Sequence, residues 1–522
     1  IAIVFFKNKG YSIYNKMNDV KNIISSMEES GEQDLSLIAK AYNFAEKAHT
    51  GQKRYSGEPY FNHAYATGKN LAELGMSATV IAAGLLHDVV EDADITPEEI
   101  EKGFGKEILF LVEGVTKLGT IRFQGLKRHA ESLRKLFIAS SQDIRVLIIK
   151  LADRVHNMET LQYVPEVKQL RIATETLEIF APLAYRLGMG ILNRKLEDLS
   201  FPFVYPKENE KVREIIKERK NENIESLKKV DRAIKKRLAR DGITNIKTNY
   251  RTKGLYSLYK KLERKHWDID KIYDVAALRI IVPTPSDCYK VLGIIHGFRR
   301  PLPGRIKDYI AFPKPNGYQS IHTTIFTRFG TIVEIQLRTA EMHREAEYGI
   351  ASHLSYKDGI SHDNRKNISN VWIKQFLPYI YKLNDASKNQ SQRQNGENIP
   401  DWIKKLANQQ GNAKSKEFIE ELKRDFFEHR VFVFTPKGDV IDLPADSSPV
   451  DFAYAIHSDI GDHLHGAKVH GKLVSLDTKL QNGDIVEIVT KKDITPTQKW
   501  LEVVKTADAK RHIKSLLKKR EN

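Results

Sequence analysis

GTIVEIQLRT, residues Gly330 to Thr339, alternates strictly between polar and apolar from Ile332 to Arg338. Side chains two apart on a strand share a face, which predicts Glu334, Gln336 and Arg338 on one side and Val333, Ile335 and Leu337 on the other. Alone, a glutamate beside a glutamine reads most simply as an exposed sheet. The preceding segments shift it toward the floor of a site. IYDVAALRIIV, Ile272 to Val282, sets Asp274 just ahead of an apolar strand, where a carboxylate can hold Mg2+ between phosphates. RIKDYIAFPKPNGYQSIH, Arg305 to His322, offers Arg305, Lys307 and Lys314 around Asp308, an apolar run YIAF fit for a strand, a Pro315-Asn316-Gly317 turn, then Tyr318 and His322. Cations on one side of a turn, with an aromatic and an imidazole on the other, suit a base carrying a phosphate chain. TNYRTKGLYSLYKKL, Thr248 to Leu262, adds Arg251 and Lys253 before a helix start and Lys261 at its far end, a cradle for phosphates.

Around this segment the chain runs to 522 residues, long for one core, so three or more domains are expected. The opening IAIVFF is too short for a membrane span, and the lack of an initiator Met suggests that the first residue is not the natural start. A single cysteine, Cys288, excludes an intrachain disulfide framework and a multi-cysteine zinc site, and a cytoplasmic location is expected. A formal net charge of +17, spread along the chain, favours anionic partners such as nucleotides, RNA or anionic surfaces.

Residues 33 to 200 read as mostly helical. They hold His63, His87-Asp88 and Asp153, far enough apart in the chain to come from separate elements. Read as a helix, HDVVED puts His87 over Glu91 and Asp88 over Asp92. Two imidazoles and two carboxylates suit Mn, Fe or Zn, with the further acids positioning water. A helix end with a packed histidine and solvated acids is an equally good reading of that spacing. QKRYSGEPYFNH, Gln52 to His63, brings Lys53 and Arg54 beside a turn. KLADRVHNMET, Lys150 to Thr160, puts Asp153, Asn157 and Thr160 on one helical face, and an aspartate behind so apolar a run needs a partner or an ion.

The pattern His63, His87-Asp88, Asp153 resembles the HD-domain phosphohydrolases. The wording SGEPY, HDVVED and LADRVHNM resembles, more narrowly, the hydrolase domain of the RelA/SpoT family, the enzymes of guanosine tetra- and pentaphosphate, (p)ppGpp. The resemblance implies Mn2+ held by His63, His87, Asp88 and Asp153, with Glu91 and Asp92 activating the attacking water. It also implies nucleotide contacts from Arg54, Tyr55, Asn157 and Thr160. Tyr55 stands where the family commonly has lysine, and Ala64 where it has proline; neither touches the implied ligands. Residues 248 to 353 resemble the synthetase domain of the same family, an α/β nucleotidyltransferase-like fold with a mixed sheet. That domain moves pyrophosphate from ATP to the 3′-hydroxyl of GDP or GTP and leaves AMP. By this resemblance Asp274 and Glu334 are the Mg2+ and general-base carboxylates. Arg251, Lys253, Lys261, Lys307 and Lys314 face phosphates, Tyr318 stacks on the acceptor guanine, and Arg305, Asn316, His322 and Gln336 support the nucleotides. The basic RIKD form accompanies bifunctional members.

The remaining segments read more simply. Ile179 to Phe203 is a helical connector ending at Pro202 and Pro206, and 207 to 240 is a charged helix solvated between domains. Gln336 to His353 resembles the family's closing helix, and 357 to 416 is polar with an inserted linker. From Val431 the texture is short strands and turns, with hairpin turns at Lys437-Gly438-Asp439 and Asn482-Gly483-Asp484. It resembles a β-grasp TGS domain, in which His457 is the candidate for contact with deacylated tRNA on the ribosome. The expected organisation is therefore multidomain: an all-α HD-type hydrolase domain over 1–200 and a synthetase domain over 201–356, led by the charged helix. A linker over 357–428, a TGS domain over 429–492 and a basic helical tail over 493–522 follow, in a chain cut short of the family's further C-terminal domains. A bifunctional synthetase and hydrolase leads. A hydrolase with an inactive synthetase, or a ribosome- or tRNA-binding regulator with inactive sites, are the alternatives.

Overall fold

Apolar residues at helical spacing build the N-terminal part of the molecule. The structure, a computed structural model, describes residues 20–25, 32–119, 143–269, 272, 276–314, 316–327, 332–354, 430–481, 483–491 and 493–521. These fall into two compact units, the described residues up to 354 and those from 430. The first begins with helices α1 (Glu32–Ala48), α2 (Phe61–Glu73), α3 (Ala78–Leu85) and the short α4 (Val89–Asp92). Next come α5 (Pro97–Phe104), α6 (Lys106–Gly119), α7 (Ile144–Glu159), α8 (Glu166–Glu175) and α9 (Ala181–Arg186). α3 is ATVIAAGL, small enough for its neighbours to close in. A Cβ on Gly84 would run into the Leu71 side chain of α2, and one on Gly68 would come within 2.8 Å of Leu85. This close packing draws the end of α3, with His87 in the turn just beyond it, toward the start of α2, where His63 lies.

HDVVED is not one helix. α3 stops at Leu85, and His87-Asp88 form a turn before α4. His87 Nδ1 lies 2.8 Å from the Gly84 carbonyl, which Asp88 N–H would have used had the helix continued. The connector α10 (Gly190–Val204) likewise runs through Pro202 rather than ending there, and α11 (Pro206–Arg240) starts with Pro206 in its first turn. Phe201 is fully buried and stacks on Tyr259 at 5.2 Å, packing that offsets the roughly 3 kcal/mol cost of an interior proline. Nor is α11 solvated on all sides. Leu227, Val230, Ile234 and Leu238, three or four apart, form a buried stripe in the core of the adjoining sheet.

That sheet has the order β1-β2-β5-β4-β3, from β1 (Lys247–Thr252), β2 (Ala276–Val282), β3 (Lys307–Asp308), β4 (Ile321–Phe326) and β5 (Ile332–Thr339). β2 and β5 pair in parallel and the other neighbours antiparallel, so the sheet is mixed. α12 (Leu255–Arg264) follows β1, and α13 (Pro285–Phe298) follows β2. Val333, Ile335 and Leu337 are buried with Leu278, Ile280, Ile321, Ile325 and the α13 residues Val291 and Ile295, as the alternation requires. YIAF is not a strand. β3 ends at Asp308, whose Oδ1 accepts from Ile310 N and Ala311 N at 2.9 Å each and folds the run into a turn.

The segment expected as one closing helix is the end of β5, then α14 (Ala340–Tyr348) and α15 (Ile350–Leu354), broken at Gly349. Gly349 has φ +57°, a Cβ there would meet Leu187 O, and Ile350 N–H donates to that same carbonyl at 3.0 Å.

In the second unit, β6 (Arg430–Phe434) and β7 (Val440–Pro444) form the expected hairpin. Helices α16 (Pro449–Ile456) and α17 (Ser458–Asp462) then intervene where only strands and turns were expected. Ser448 and Asp451 form a capping box that starts α16. β8 (Leu464–Val469), β9 (Lys472–Val474) and β10 (Val486–Thr490) follow, then α18 (Gln498–Val503) and α19 (Ala507–Glu521). The second hairpin turn is His470-Gly471, with φ values of 50° and 78°; of the turn expected at Asn482-Gly483-Asp484, Asn482 lies outside the described residues. β10 pairs with β8 and passes over β9, so Gly483-Asp484 leads into a strand without closing a hairpin.

Gly349→Ala is expected to destabilise the first unit by about 1–3 kcal/mol, because it meets backbone that cannot move aside. Gly103→Ala, inside α5 with open space at its Cβ, should be neutral or slightly stabilising. Thermal unfolding of the two variants checks both.

Candidate functional site

His63 enters from the first turn of α2, His87 and Asp88 from the turn after α3, and Asp153 from the middle of α7. Together they form one buried cluster. His63 Nε2 lies 3.1 Å from Asp153 Oδ1 and 3.4 Å from Asp88 Oδ2, and His87 Nε2 lies 3.1 Å from Asp88 Oδ2 and 3.9 Å from Asp153 Oδ1. Among the described residues His63, His87 and Asp88 are a group whose ligand atoms all close to within 4.8 Å of one another. The donor set fits a divalent cation. His87 Nδ1 is engaged by Gly84 O, which leaves Nε2 buried, aimed at two carboxylates and without a directed hydrogen bond. Burial opposes a charge on His87, yet Asp88 and Asp153 hold its pKa up at about 9: a proton is welcome where these acids converge. Burial likewise disfavours charge on Asp88, and His87 and His63 outweigh it, keeping the carboxyl well below its ordinary range.

The remaining expected residues surround this point. Asp92 accepts from Tyr60 Oη at 2.7 Å, and the same hydroxyl lies 2.9 Å from Asp88 Oδ2. Glu91 has its carboxyl pKa raised by burial, then by Asp88 and Asp92. Arg54 Nη2 donates to Asn157 Oδ1 at 2.6 Å, and Asn157 Nδ2 donates to Asp153 Oδ1 at 2.5 Å. Thr160 ends α7, its hydroxyl donating to His156 O. Tyr55 is exposed, with Lys168 Nζ 3.3 Å from its hydroxyl. Tyr60, Lys150 and His156 were not foreseen. Lys150 Nζ pairs with Asp153 Oδ2 at 2.7 Å, a spacing of three along α7 that the sequence does offer as a signal.

The polar sheet face is cationic. Register places Asn249, Arg279, Gln336, His322 and Lys307 in one row across the strands, and Arg251, Ala277, Glu334 and Thr324 in the next. Glu334 Oε1 accepts from Gln336 Nε2 at 2.9 Å and lies 3.3 Å from His322 Nδ1. His322 Nε2 in turn meets Tyr318 Oη at 2.8 Å. Lys314 Nζ sits 4.7 Å from the Tyr309 ring and 5.0 Å from the Tyr318 ring. Burial, then Lys307 and Arg251, pull its pKa down to about 8. Lys261 adds to that repulsion, so Lys307, Arg251 and Lys261 all act on Lys314. Lys253 follows β1, Arg305 is exposed ahead of β3, and Asn316 spends its amide on Tyr185 O at 3.1 Å. Asp274 lies outside the described residues. Tyr309 was not foreseen because YIAF reads as a strand.

On this same face, Glu347 of α14 takes Arg279 Nη2 at 3.0 Å and Arg338 Nη2 at 3.3 Å on Oε1, and Arg194 Nη2 from α10 at 3.2 Å on Oε2. Burial lowers the Arg279 pKa to about 10, with Arg338 adding to the effect. In the second unit His457 caps α17, its Nδ1 accepting from Asp459 N at 3.2 Å.

Three family models match: "HD domain" over residues 41–190, "Region found in RelA / SpoT proteins" over 250–361, and "TGS domain" over 431–490. A guanosine-3′,5′-bis(diphosphate) 3′-pyrophosphohydrolase of Aquifex aeolicus is 43% identical over 505 residues, which is 96% of this chain and 67% of the relative. The chain belongs to the RelA/SpoT family. A GTP pyrophosphokinase of Myxococcus xanthus is 44% identical, covering 94% of this chain and 61% of its own length. The bifunctional (p)ppGpp synthase/hydrolase SpoT of Escherichia coli is 40% identical, covering 93% and 65%. The chain thus spans about two thirds of the length of these curated relatives. Its RelA/SpoT architecture is a helical HD region, a mixed-sheet region and a small TGS region. Among the described residues no helix is long and apolar enough to cross a membrane.

Glu347→Ala would leave Arg338, fully buried, and Arg279 without their shared carboxylate, and is expected to cost about 3–5 kcal/mol. Burial disfavours charge on Glu347, but Arg279, Arg194 and Arg338 hold its pKa below the ordinary 4.5. Its contribution is therefore complete above that value and lost as pH falls through the lower, folded one. Denaturant unfolding at neutral and acid pH should show the variant's deficit shrinking on the acid side.

Proposed function

We propose that the chain both makes and destroys guanosine 3′-polyphosphates: it transfers pyrophosphate from ATP to the 3′-hydroxyl of GDP or GTP, and hydrolyses that 3′-pyrophosphate again. The observation that carries this reading is the coexistence, in one RelA/SpoT chain, of a histidine–carboxylate cluster fit for a divalent cation and a carboxylate-floored cationic sheet face.

In the hydrolase, His63, His87, Asp88 and Asp153 would hold Mn2+, which when bound would supply positive charge for the 3′-diphosphate and acidify water. Glu91, its pKa already raised, takes the proton of the attacking water, and Asp92 orients that water with Tyr60 fixing the carboxylate. Water oxygen bonds to phosphorus, the bond from that phosphorus to the 3′-oxygen breaks, and GDP or GTP leaves with pyrophosphate as the second product. Arg54, Tyr55, Asn157 and Thr160 hold the nucleotide.

In the synthetase, Glu334 takes the proton of the acceptor 3′-hydroxyl, whose oxygen attacks the β-phosphorus of ATP while the bond to the α-phosphate breaks and AMP departs. Gln336 and His322 hold Glu334 in place, and Tyr318 stacks on the acceptor base. Arg251, Lys253, Lys261, Arg305, Lys307 and Lys314 neutralise the phosphates, and Asn316 braces the turn. Asp274, outside the described residues, would hold Mg2+, which would supply further neutralisation. The hydrolase domain occupies 1–200, the synthetase domain 201–356, a linker 357–428, the TGS domain 429–492 and a basic tail 493–522, and the TGS region, with His457, is the surface for deacylated tRNA on the ribosome. Because simultaneous operation would consume ATP to no end, the two activities are taken to be under reciprocal control.

Labelled-nucleotide assays test this directly. His87→Ala or Asp88→Ala should abolish hydrolysis and spare synthesis, and chelation of Mn2+ should do the same. Glu334→Gln should lower synthesis by about 10²–10⁴-fold and spare hydrolysis. A variant that loses both activities while remaining folded would refute two independent sites.

A further inference from the structure

His156, one residue before Asn157 on α7, is not among the expected site residues, yet it sits between a cation and a ligand. Arg54 Nη1 lies 2.9 Å from His156 Nδ1, and His63 Nδ1 lies 2.9 Å from the same atom, the two imidazoles tilted with centroids 5.1 Å apart. A guanidinium has five donors and no acceptor and does not lose its proton in proteins. His156 Nδ1 must therefore accept, so its ring carries its proton on Nε2. Two bare lone pairs cannot hydrogen-bond, so His63 Nδ1 must be the donor of the second contact. A proton of His63 is thereby placed on Nδ1, so that Nε2, which faces Asp153 and Asp88, is the nitrogen left for a cation once the ion displaces any proton shared with those carboxylates. The opposite order would put a hydrogen on Nε2 and block ligation.

We infer that His156 is a positioning residue that fixes the tautomer of His63 and so makes the cluster competent for a divalent cation, with Arg54 setting the direction of the relay. This rests on the metal reading of the hydrolase site. One further observation strengthens it: Arg54 reaches the other side of the cluster too, through Asn157 to Asp153, so that His63 and Asp153 are both oriented from one guanidinium. Such outer partners of metal-binding histidines are a recurrent device, usually a carboxylate or carbonyl. Here a second imidazole does the task because an arginine denies it a proton on that atom.

Mn2+ binding to the full chain, followed through the electron paramagnetic resonance signal of the free ion, separates the possibilities without any turnover. His156→Ala should weaken binding about 10–100-fold. His156→Asn should stay close to the unaltered protein, because its Oδ1 can accept where Nδ1 does. Thermal unfolding of both variants checks that they fold. If folded His156→Ala binds Mn2+ as tightly as the unaltered chain, or His156→Asn as poorly as His156→Ala, the positioning role is wrong. His87→Ala serves as the separate control on the metal reading: if it leaves Mn2+ binding unchanged, that reading fails and takes the inference with it.

Discussion

Three guanidiniums converge on the carboxylate of Glu347, and the first unit is organised by that convergence. Arg338 and Arg279 come from the central strands of the sheet, and Arg194 from the connector helix that follows the HD region. Burying two strand arginines would be prohibitive without an anion, since an unpaired interior charge costs several kcal/mol. Glu347 can supply it only if α14 lies across the sheet, and α14 can lie there only because the chain breaks at Gly349 and returns to the Leu187 carbonyl. The connector, the sheet and helices α14 and α15 are therefore held by one ion cluster and one backbone hydrogen bond. Further along α10, Asp198 accepts from Tyr256 N and Glu197 pairs with Lys260, extending the same seam to α12.

The two sites are electrostatic opposites. Around His63 the chain assembles acids and imidazoles whose lone pairs point inward, a surplus of donors to a cation. Around Lys314 it assembles cations packed against aromatic rings, with one carboxylate at 3.3 Å from a histidine, a surplus of charge that a polyphosphate would satisfy. Each is costly to leave uncompensated, so each is selective by sign before any shape is considered.

Much of this was legible in the amino-acid order. The strict alternation over Ile332 to Arg338 gives both the core face and the polar face of the central strand, because a pleat admits no other assignment. Asp153 and Asn157, four apart on an apolar helix, are hydrogen-bonded as the spacing requires. Other features depended on contacts between distant segments. The helical reading of HDVVED gave way to a turn through one imidazole–carbonyl bond, and YIAF became a turn through one aspartate. α11 looked solvated because charge dominates its composition, while four apolar residues at helical spacing were enough to bury one side. Tyr60, His156 and Tyr309 stood inside quoted segments, but the carboxylates that Tyr60 meets are 28 and 32 residues away, the His156–His63 pair is 93 apart, and the partners of Tyr309 lie across a turn.

β5 is the last strand of its sheet to be synthesised and the middle one in space. β2 and β4 flank it on either side, so neither has its neighbour until Ile332 to Thr339 has emerged. A polypeptide ending before Ile332 would present two open edges facing a gap one strand wide, an arrangement prone to pairing with other chains. The order of the strands thus leaves the sheet in two halves until β5 joins them, and Glu334 arrives only with the piece that closes it.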